Sequence, residues 1–166
     1  STPGTITAAT ASAEANTCGG TDDDDVWYQF VATNTTHLIS LNNIVGNTDL
    51  FHVVYSGSAC GSLTQLLCSD PNTSTVTGLT IGQTYTIRVY TWTGTANQSS
   101  TFNICVGTPP PPPTNDHCAT PTVVPVNPDL TCAQFVTSTL YSSSASPEAN
   151  TCGGTDDDDV WFEFTA

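Results

Sequence analysis

The sequence predicts an all-β protein made of antiparallel jelly-roll or Ig-like β-sandwich repeats joined by a polyproline linker. Short runs rich in β-branched and aromatic residues alternate with turn residues, and no helical periodicity occurs. The motif EANTCGGTDDDDVW occurs twice, at 14–27 and 148–161, so one period of 134 residues is followed by the opening of the next. Five consecutive prolines, 109–113, separate the two and favour an extended, stiff segment.

The strands of the first repeat can be assigned in order. TITAAT, near the start, could be an edge strand, and VWYQFVA (26–32) alternates strictly between two faces. Val26, Tyr28 and Phe30 share one face, and their counterparts in the second copy are also apolar. We therefore expect this face to point toward the core.

Five more β-rich runs follow at short spacing: HLISLNNIV, DLFHVVYSG, STVTGL, TYTIRVYTW and STFNICV. DLFHVVY is apolar on both faces, which predicts a central strand. TYTIRVYTW places Arg88, Tyr90 and Trp92 on the face opposite its apolar residues, so these side chains are expected on an outer face.

The predicted organisation is a sandwich repeat at 1–108 that lacks its first strand, a Pro-rich linker at 109–114, and the start of the next repeat at 115–166. TVVPV and CAQFVTSTLY would be the first strands of that next repeat. A neighbouring chain could donate the missing segment, as in donor-strand fibres. Residues 145–166 would then compete with residues 11–32 of the accepting chain, so a covalent tandem array is the simpler interpretation.

The charge balance excludes several functions. The chain has 1 basic and 15 acidic residues, a net charge of −14, and its single base is Arg88. Without lysine there is no phosphate-loop or Schiff-base lysine, and nucleic acid is an implausible partner because phosphate binding needs clustered cations. No apolar run is long enough to span a bilayer, so membrane insertion is not expected.

Seven cysteines in a Thr- and Ser-rich chain indicate an oxidising setting, so we expect a secreted, extracellular or cell-surface protein. One period holds six cysteines, and spacing alone allows 15 pairings. Cys60–Cys68 would staple a hairpin, and Cys132–Cys152 would tie a strand to the loop before the Asp run.

Three cysteines then remain. Cys105 and Cys118 could bridge across the linker, or each could close its own domain; the second alternative is favoured. Cys18 is the counterpart of Cys152, so its partner is expected before residue 1.

Two runs of four aspartates predict a calcium site. They hold eight of the fifteen acids, and no base is near them in sequence, so an external cation would neutralise them. Ca²⁺ prefers carboxylate and carbonyl oxygens. The candidate ligands are Asp22, Asp23, Asp24, Asp25, Asp49, Asp70, Asp156, Asp157, Asp158 and Asp159. The alternative is a solvated acidic loop.

Three outward aromatic residues, Trp27, Tyr90 and Trp92, form a candidate contact surface for subunits or sugars; local cover of the sandwich is the alternative. Three sequons in predicted loops, at Asn34, Asn72 and Asn97, are candidate glycosylation sites.

No catalytic constellation occurs. The histidines at 37, 52 and 117 lie in separate elements, no HExxH is present, and GSACG has alanine where a nucleophilic serine would stand. The sequence therefore predicts a protein that is not an enzyme.

The segment 22–108 resembles the bacterial pre-peptidase C-terminal domain family. The resemblance lies in DDVWYQF, NTDLFHVVYSG, GLTIGQTYTIRVYTWTGT and STFNICV. It implies a secreted, non-catalytic, jelly-roll-like sandwich that sometimes binds calcium. The cysteine-containing repeats with Pro-rich joints also resemble those of large secreted surface proteins of Bacteroidota.

These observations predict a structural tandem-repeat unit of an extracellular fibre, disulfide-stapled and calcium-stabilised, whose partners are neighbouring repeats or copies of itself. The alternative is a carbohydrate- or protein-binding module appended to a secreted enzyme or adhesin.

Overall fold

A computed structural model describes residues 1–95 and 98–166. The described residues form ten strands, and no helix occurs among them that could cross a bilayer. They divide into two compact units, residues 1–108 and 109–166. The first unit contains β1 (Thr2–Thr5), β2 (Val26–Val31), β3 (His37–Val45), β4 (Leu50–Ser56), β5 (Thr64–Ser69), β6 (Thr73–Val76), β7 (Thr84–Thr91) and β8 (Thr101–Gly107); the second contains β9 (Thr122–Val123) and β10 (Phe162–Glu163).

The first unit is a sandwich of two four-stranded antiparallel sheets, ordered β1-β8-β3-β6 and β2-β7-β4-β5. Its core is formed by alternate residues of both sheets, among them Ile39, Ile104, Val54 and Ile87. The apolar face of β2 packs against this core through residues 26, 28 and 30. The predicted all-β sandwich and the predicted inward face of β2 are therefore confirmed.

Two strands differ from the sequence prediction. The first strand lies at Thr2–Thr5 rather than in TITAAT, because the chain turns after Ile6, whose carbonyl accepts a 2.9 Å hydrogen bond from the amide of Ala9. The sequence predicts only a cysteine hairpin around Thr64–Ser69, but this segment pairs with β4 as an edge strand.

The other face of the β2-β7-β4-β5 sheet is also buried. Phe51, Val53, Tyr55 and Tyr90 form a second apolar cluster there, with Cys18 and Trp27 packed against it. Residues 12–25, called the aspartate loop below, contact this face through the hydrogen bonds described in the next subsection.

In the second unit only two short strands form, and β9 pairs with β10 in parallel. CAQFVTSTLY was predicted as a strand but has no strand partner within 109–166, so its residues stay irregular and mostly exposed. Leu140, for example, is 51% exposed, whereas its counterpart Ile6 in the first unit is completely buried.

Candidate functional site

The only cation of the chain is the centre of the site. Arg88 lies in the middle of β7 and is completely buried. Its Nε donates to Asp25 Oδ2 at 2.6 Å, and one terminal nitrogen donates to Asp22 Oδ2 at 2.5 Å. Burial acts to lower the pKa of Arg88, but the carboxylates of Asp25 and Asp22 outweigh it, so the pKa lies above its ordinary value. The single arginine therefore forms ion pairs with two members of the first run, and the sequence has no further arginine or lysine for the second run.

Aromatic rings complete the surroundings of the guanidinium. Its central carbon lies 5.2 Å from the ring centroid of Trp27 and 5.4 Å from that of Tyr90, within the range of cation–π attraction. Trp27 in turn lies 5.7 Å from Tyr55. The positive charge is thus held by two carboxylates at its edge and two aromatic rings beside it.

The other two aspartates of the first run have different surroundings. Asp24 is buried and accepts hydrogen bonds from the amide of Thr91 at 3.1 Å and from its hydroxyl at 2.9 Å. Burial raises the pKa of Asp24, and the bonds from Thr91 oppose that effect. Asp23 is half-buried, and its Oδ1 has no hydrogen-bond partner within the described residues.

The aspartate loop also bonds to itself. The amide of Ser12 donates to Asp25 Oδ1 at 3.1 Å, Asn16 Nδ2 donates to the carbonyl of Gly20 at 3.1 Å, and the amide of Cys18 donates to Asn16 Oδ1 at 3.0 Å. All three bonds recur in the second copy: Ser146 to Asp159 at 3.1 Å, Asn150 to Gly154 at 3.2 Å, and Cys152 to Asn150 at 2.9 Å. Because the second unit has no arginine, the loop sequence alone accounts for these bonds.

A disulfide joins the loop to β5. It connects Cys18 with Cys68, whose Cα atoms lie 5.5 Å apart. The predicted Cys60–Cys68 staple is therefore wrong, and the partner of Cys18 does not lie before residue 1. The physical reason is that the aspartate loop folds back across the sheet and brings Cys18 to the edge strand, while Cys60 remains an exposed thiol.

The predicted Cys132–Cys152 bond is also absent, and both residues, which the structure describes, are exposed thiols. The counterpart of Cys152 is Cys18, which bonds to Cys68 in β5. The second unit as described contains only β9 and β10, so Cys152 has no equivalent of β5 to reach. Cys105 and Cys118 are free thiols as well.

The predicted aromatic contact surface is only partly exposed. Trp92 is 53% exposed and stacks on Phe51 with a centroid distance of 5.5 Å. Trp27 is half-buried, and Tyr90 is completely buried because the aspartate loop covers it. The hydroxyl of Tyr90 donates to the carbonyl of Gly19 at 2.7 Å, and burial raises its pKa to about 12. The prediction that Tyr90 faces outward is wrong.

The remaining candidate metal ligands do not converge. Asp49 and Asp70 are exposed and separate from the run, and the described part of the chain contains no group of three or more His, Cys, Asp or Glu side chains arranged to hold a metal. Asp156, Asp157 and Asp158 are exposed. Calcium binding at the aspartate runs stays a prediction.

Two of the candidate glycosylation sites lie in the described residues. Asn34 is exposed in the turn before β3, and Asn72 is half-buried in the turn before β6. Asn97 lies outside the described residues. Glycosylation stays a prediction.

The histidines have structural surroundings. His37 Nε2 accepts hydrogen bonds from the amides of Thr33 and Asn34 at 3.1 and 3.2 Å, and His52 Nε2 lies 2.6 Å from Ser74 Oγ. His117 is exposed beside Asp116. The sequence could not reveal that Arg88, Thr91 and Ser12 complete the site, because 63 to 76 residues separate Arg88 from its partners in the loop.

A comparison with models of protein families gives a match. A family model described as galactose binding domain-like, and associated with the type IX secretion system, matches residues 2–104. The match supports the β-sandwich expected from the resemblance to pre-peptidase C-terminal domains, but it names a different family. Searches of curated proteins and of solved structures gave no match. The chain therefore belongs to the galactose-binding-domain-like family associated with the type IX secretion system.

Proposed function

We propose that this chain is a non-catalytic structural repeat of a secreted surface protein, in which sandwich domains follow one another along a fibre. The observation that carries the proposal is the role of the duplicated motif. In the first unit its aspartates contact Arg88 and Thr91, and its cysteine bonds to β5, so the motif closes one face of its own domain. A motif that closes its own domain and recurs after one domain length fits a structural array.

Secretion is supported by the family and by the chemistry. The family is associated with the type IX secretion system, and the Cys18–Cys68 disulfide is of a kind that persists in oxidising compartments. Five prolines at the start of the second unit, 109–113, favour an extended spacer, which would hold successive domains at a constant separation.

Electron microscopy of the parent protein at the cell surface tests this proposal. We expect rows of globular domains at a constant spacing. Replacing Pro109–Pro113 with a Gly-Ser segment of equal length should keep the domains and broaden the distribution of spacings. Isolated globular particles without repeat spacing would contradict the proposal.

A glycan-binding module is the second candidate, and the exposed indole of Trp92 favours it. Flat aromatic surfaces bind sugar rings, and stacking on Phe51 fixes the orientation of this indole. The family description also names galactose binding. Binding to galactose-containing glycans that is lost in Trp92→Ala, but kept in the matched surface variant Val45→Ala, would support this candidate; Val45 is 67% exposed. Equal binding by both variants would exclude a role for Trp92.

A further inference from the structure

We propose that the outer edge of β2 in the first unit is a docking site for residues 115–124 of a second copy of this chain. The inference deepens the proposed function, on which it rests for the choice of a second copy as the partner. It is carried by a comparison between two nearly identical strands, one with an unpaired edge and one paired.

The unpaired edge belongs to β2. This strand is the last in the order β2-β7-β4-β5, so no strand of the described chain lies on its outer side. Gln29 and Val31 are exposed there, the latter by 55%. A groove of about 240 Å³ runs beside the strand and is lined by Ser1, Thr2, Gln29, Phe30 and Cys105, among others. An unpaired strand edge is a template for pairing with an added segment.

The paired edge belongs to β10, the counterpart of β2 in the second copy of the motif. Here β9 adds in parallel, with Thr122 opposite Phe162 and Val123 opposite Glu163. The amide of Thr122 donates a hydrogen bond to the carbonyl of Trp161 at 3.0 Å, and the amide of Val124 donates one to the carbonyl of Glu163 at 2.7 Å. On β10 the acceptors of these hydrogen bonds are therefore the carbonyls of Trp161 and Glu163. Their counterparts in β2 are the carbonyls of Trp27 and Gln29.

A second contact anchors the same segment. Asp116 is buried and accepts hydrogen bonds from the amide of Ser144 at 2.8 Å and from its hydroxyl at 2.9 Å. Asn115 bonds to the backbone of Trp161 in both directions, at 2.8 and 3.0 Å. The first unit offers the same groups, because Thr10, the counterpart of Ser144, also carries an amide and a hydroxyl and is exposed.

The first unit is the better acceptor of the two. Its β2 is six residues long and is held in a four-stranded sheet, whereas β10 has two residues and pairs only with β9. An isolated pair of strands is only marginally stable. When the acceptor strand is already ordered in a sheet, pairing costs less conformational entropy than when both strands must become ordered. Exchange of the segment replaces each hydrogen bond by its counterpart, which is the low-cost route to association known from domain swapping.

Competition between motif copies does not prevent this exchange. Only residues 115–124 move, and 20 residues separate Val124 from Ala145. Those residues are mostly exposed, so they can change path without residues 145–166 entering the neighbouring domain.

A peptide tests the site directly. The probe is residues 115–124 with Cys118→Ser and a fluorescent label, titrated with the full 166-residue chain under non-reducing conditions. We expect saturable binding of one peptide per chain and at least tenfold weaker binding of the Asp116→Ala peptide. Gln29→Pro in the chain should abolish binding, because it removes an outward amide from an edge strand, where proline is tolerated.

The matched control is Glu163→Pro, which makes the same change in β10 and should leave peptide binding intact. Loss of binding in Glu163→Pro but not in Gln29→Pro, or no binding of the unaltered peptide, would overturn the proposal. Thermal unfolding of both variants verifies that the sandwich is intact.

Self-association tests the identity of the partner. With the five free cysteines changed to serine, Gln29→Cys and Val123→Cys should be linked between chains by a short bismaleimide, and Asp116→Ala should abolish the product. A chain that stays monomeric while the peptide binds would overturn the second copy as the partner. Such a result would leave regular domain spacing in micrographs unaffected. The docking proposal can therefore fail while the proposed structural repeat holds, and the two experiments distinguish these outcomes.

Discussion

Arg88 and Asp25 are separated by 63 residues in sequence and joined by a 2.6 Å hydrogen bond between Nε and Oδ2, with both side chains buried. The pair links β7 to the loop that covers its sheet. A buried ion pair contributes little compared with an apolar pair of the same size, but removal of one partner is costly because the other charge is left without compensation.

We expect Asp25→Asn to lower the free energy of unfolding by at most about 3–5 kcal/mol, the cost of a buried charge with no partner, because Arg88 would keep Asp22 as a charged partner. Urea unfolding measures the change. The matched control is Asp159→Asn, which removes the counterpart carboxylate where only Ser146 binds it, and should cost far less. The double variant Asp25→Leu, Arg88→Met should be more stable than Asp25→Asn. Equal losses at positions 25 and 159 would contradict the role of Arg88.

The disulfide should contribute measurably to stability. We expect Cys18→Ser to lower the free energy of unfolding by about 2–4 kcal/mol, because the bond closes a loop between residues 50 apart in sequence. Cys60→Ser, which removes an exposed thiol, should leave it nearly unchanged. Peptide mapping under non-reducing conditions should recover Cys18 linked to Cys68; recovery of Cys60 linked to Cys68 would contradict the structure.

His52 should make the first unit sensitive to acid. It is completely buried, its Nδ1 has no partner among the described residues, and burial lowers its pKa to about 4 from an ordinary 6.5. Between pH 6.5 and 4 the unfolded chain therefore binds a proton at His52 that the folded chain does not bind. The free energy of unfolding keeps its full value, as far as His52 determines it, above about pH 6.5, and it falls as the pH is lowered toward 4.

The size of that loss is about 3 kcal/mol for a shift of this extent. Urea unfolding at a series of pH values should show a shallower decline for His52→Gln than for the unaltered chain. His117→Gln, at an exposed position, should leave the profile unchanged. A profile for His52→Gln that still matches the unaltered chain would contradict the assignment.

Calcium should act through the second aspartate run if it binds this chain. Asp22, Asp24 and Asp25 already have protein partners, whereas Asp156, Asp157 and Asp158 are exposed. We expect a chelator to lower the melting temperature and added Ca²⁺ to restore it. The effect should vanish when residues 156–158 are changed to asparagine. No response of the unaltered chain to either reagent would remove the prediction.

The strands could be predicted because their signal is local. VWYQFVA and TYTIRVYTW alternate with a period of two, and the structure places β2 and β7 in them. The same alternation predicts that the side chains of Arg88 and Tyr90 lie on the face of the sheet opposite the core. It could not show that a loop from residues 12–25 covers the opposite face, because that contact depends on long-range packing.

The cysteines show the same limit. Cys60 and Cys68 are the closest pair in sequence, and proximity favoured a staple between them, yet chain path rather than spacing decides which thiols meet. The second copy of the motif can be recognised because its sequence is nearly identical to the first. The structure around it could not be predicted, because CAQFVTSTLY has the pattern of a strand but finds no partner strand in its unit.

The self-bonded aspartate loop has a consequence for the order of folding. Its internal contacts span at most 13 residues and occur with or without an arginine nearby, so they can form early, at a small entropic cost of closure. Asp25 would then already be positioned when Arg88, 63 residues later in the chain, reaches it. The acidic side of the ion pair can therefore be in place before β7, which carries Arg88, packs beneath the loop.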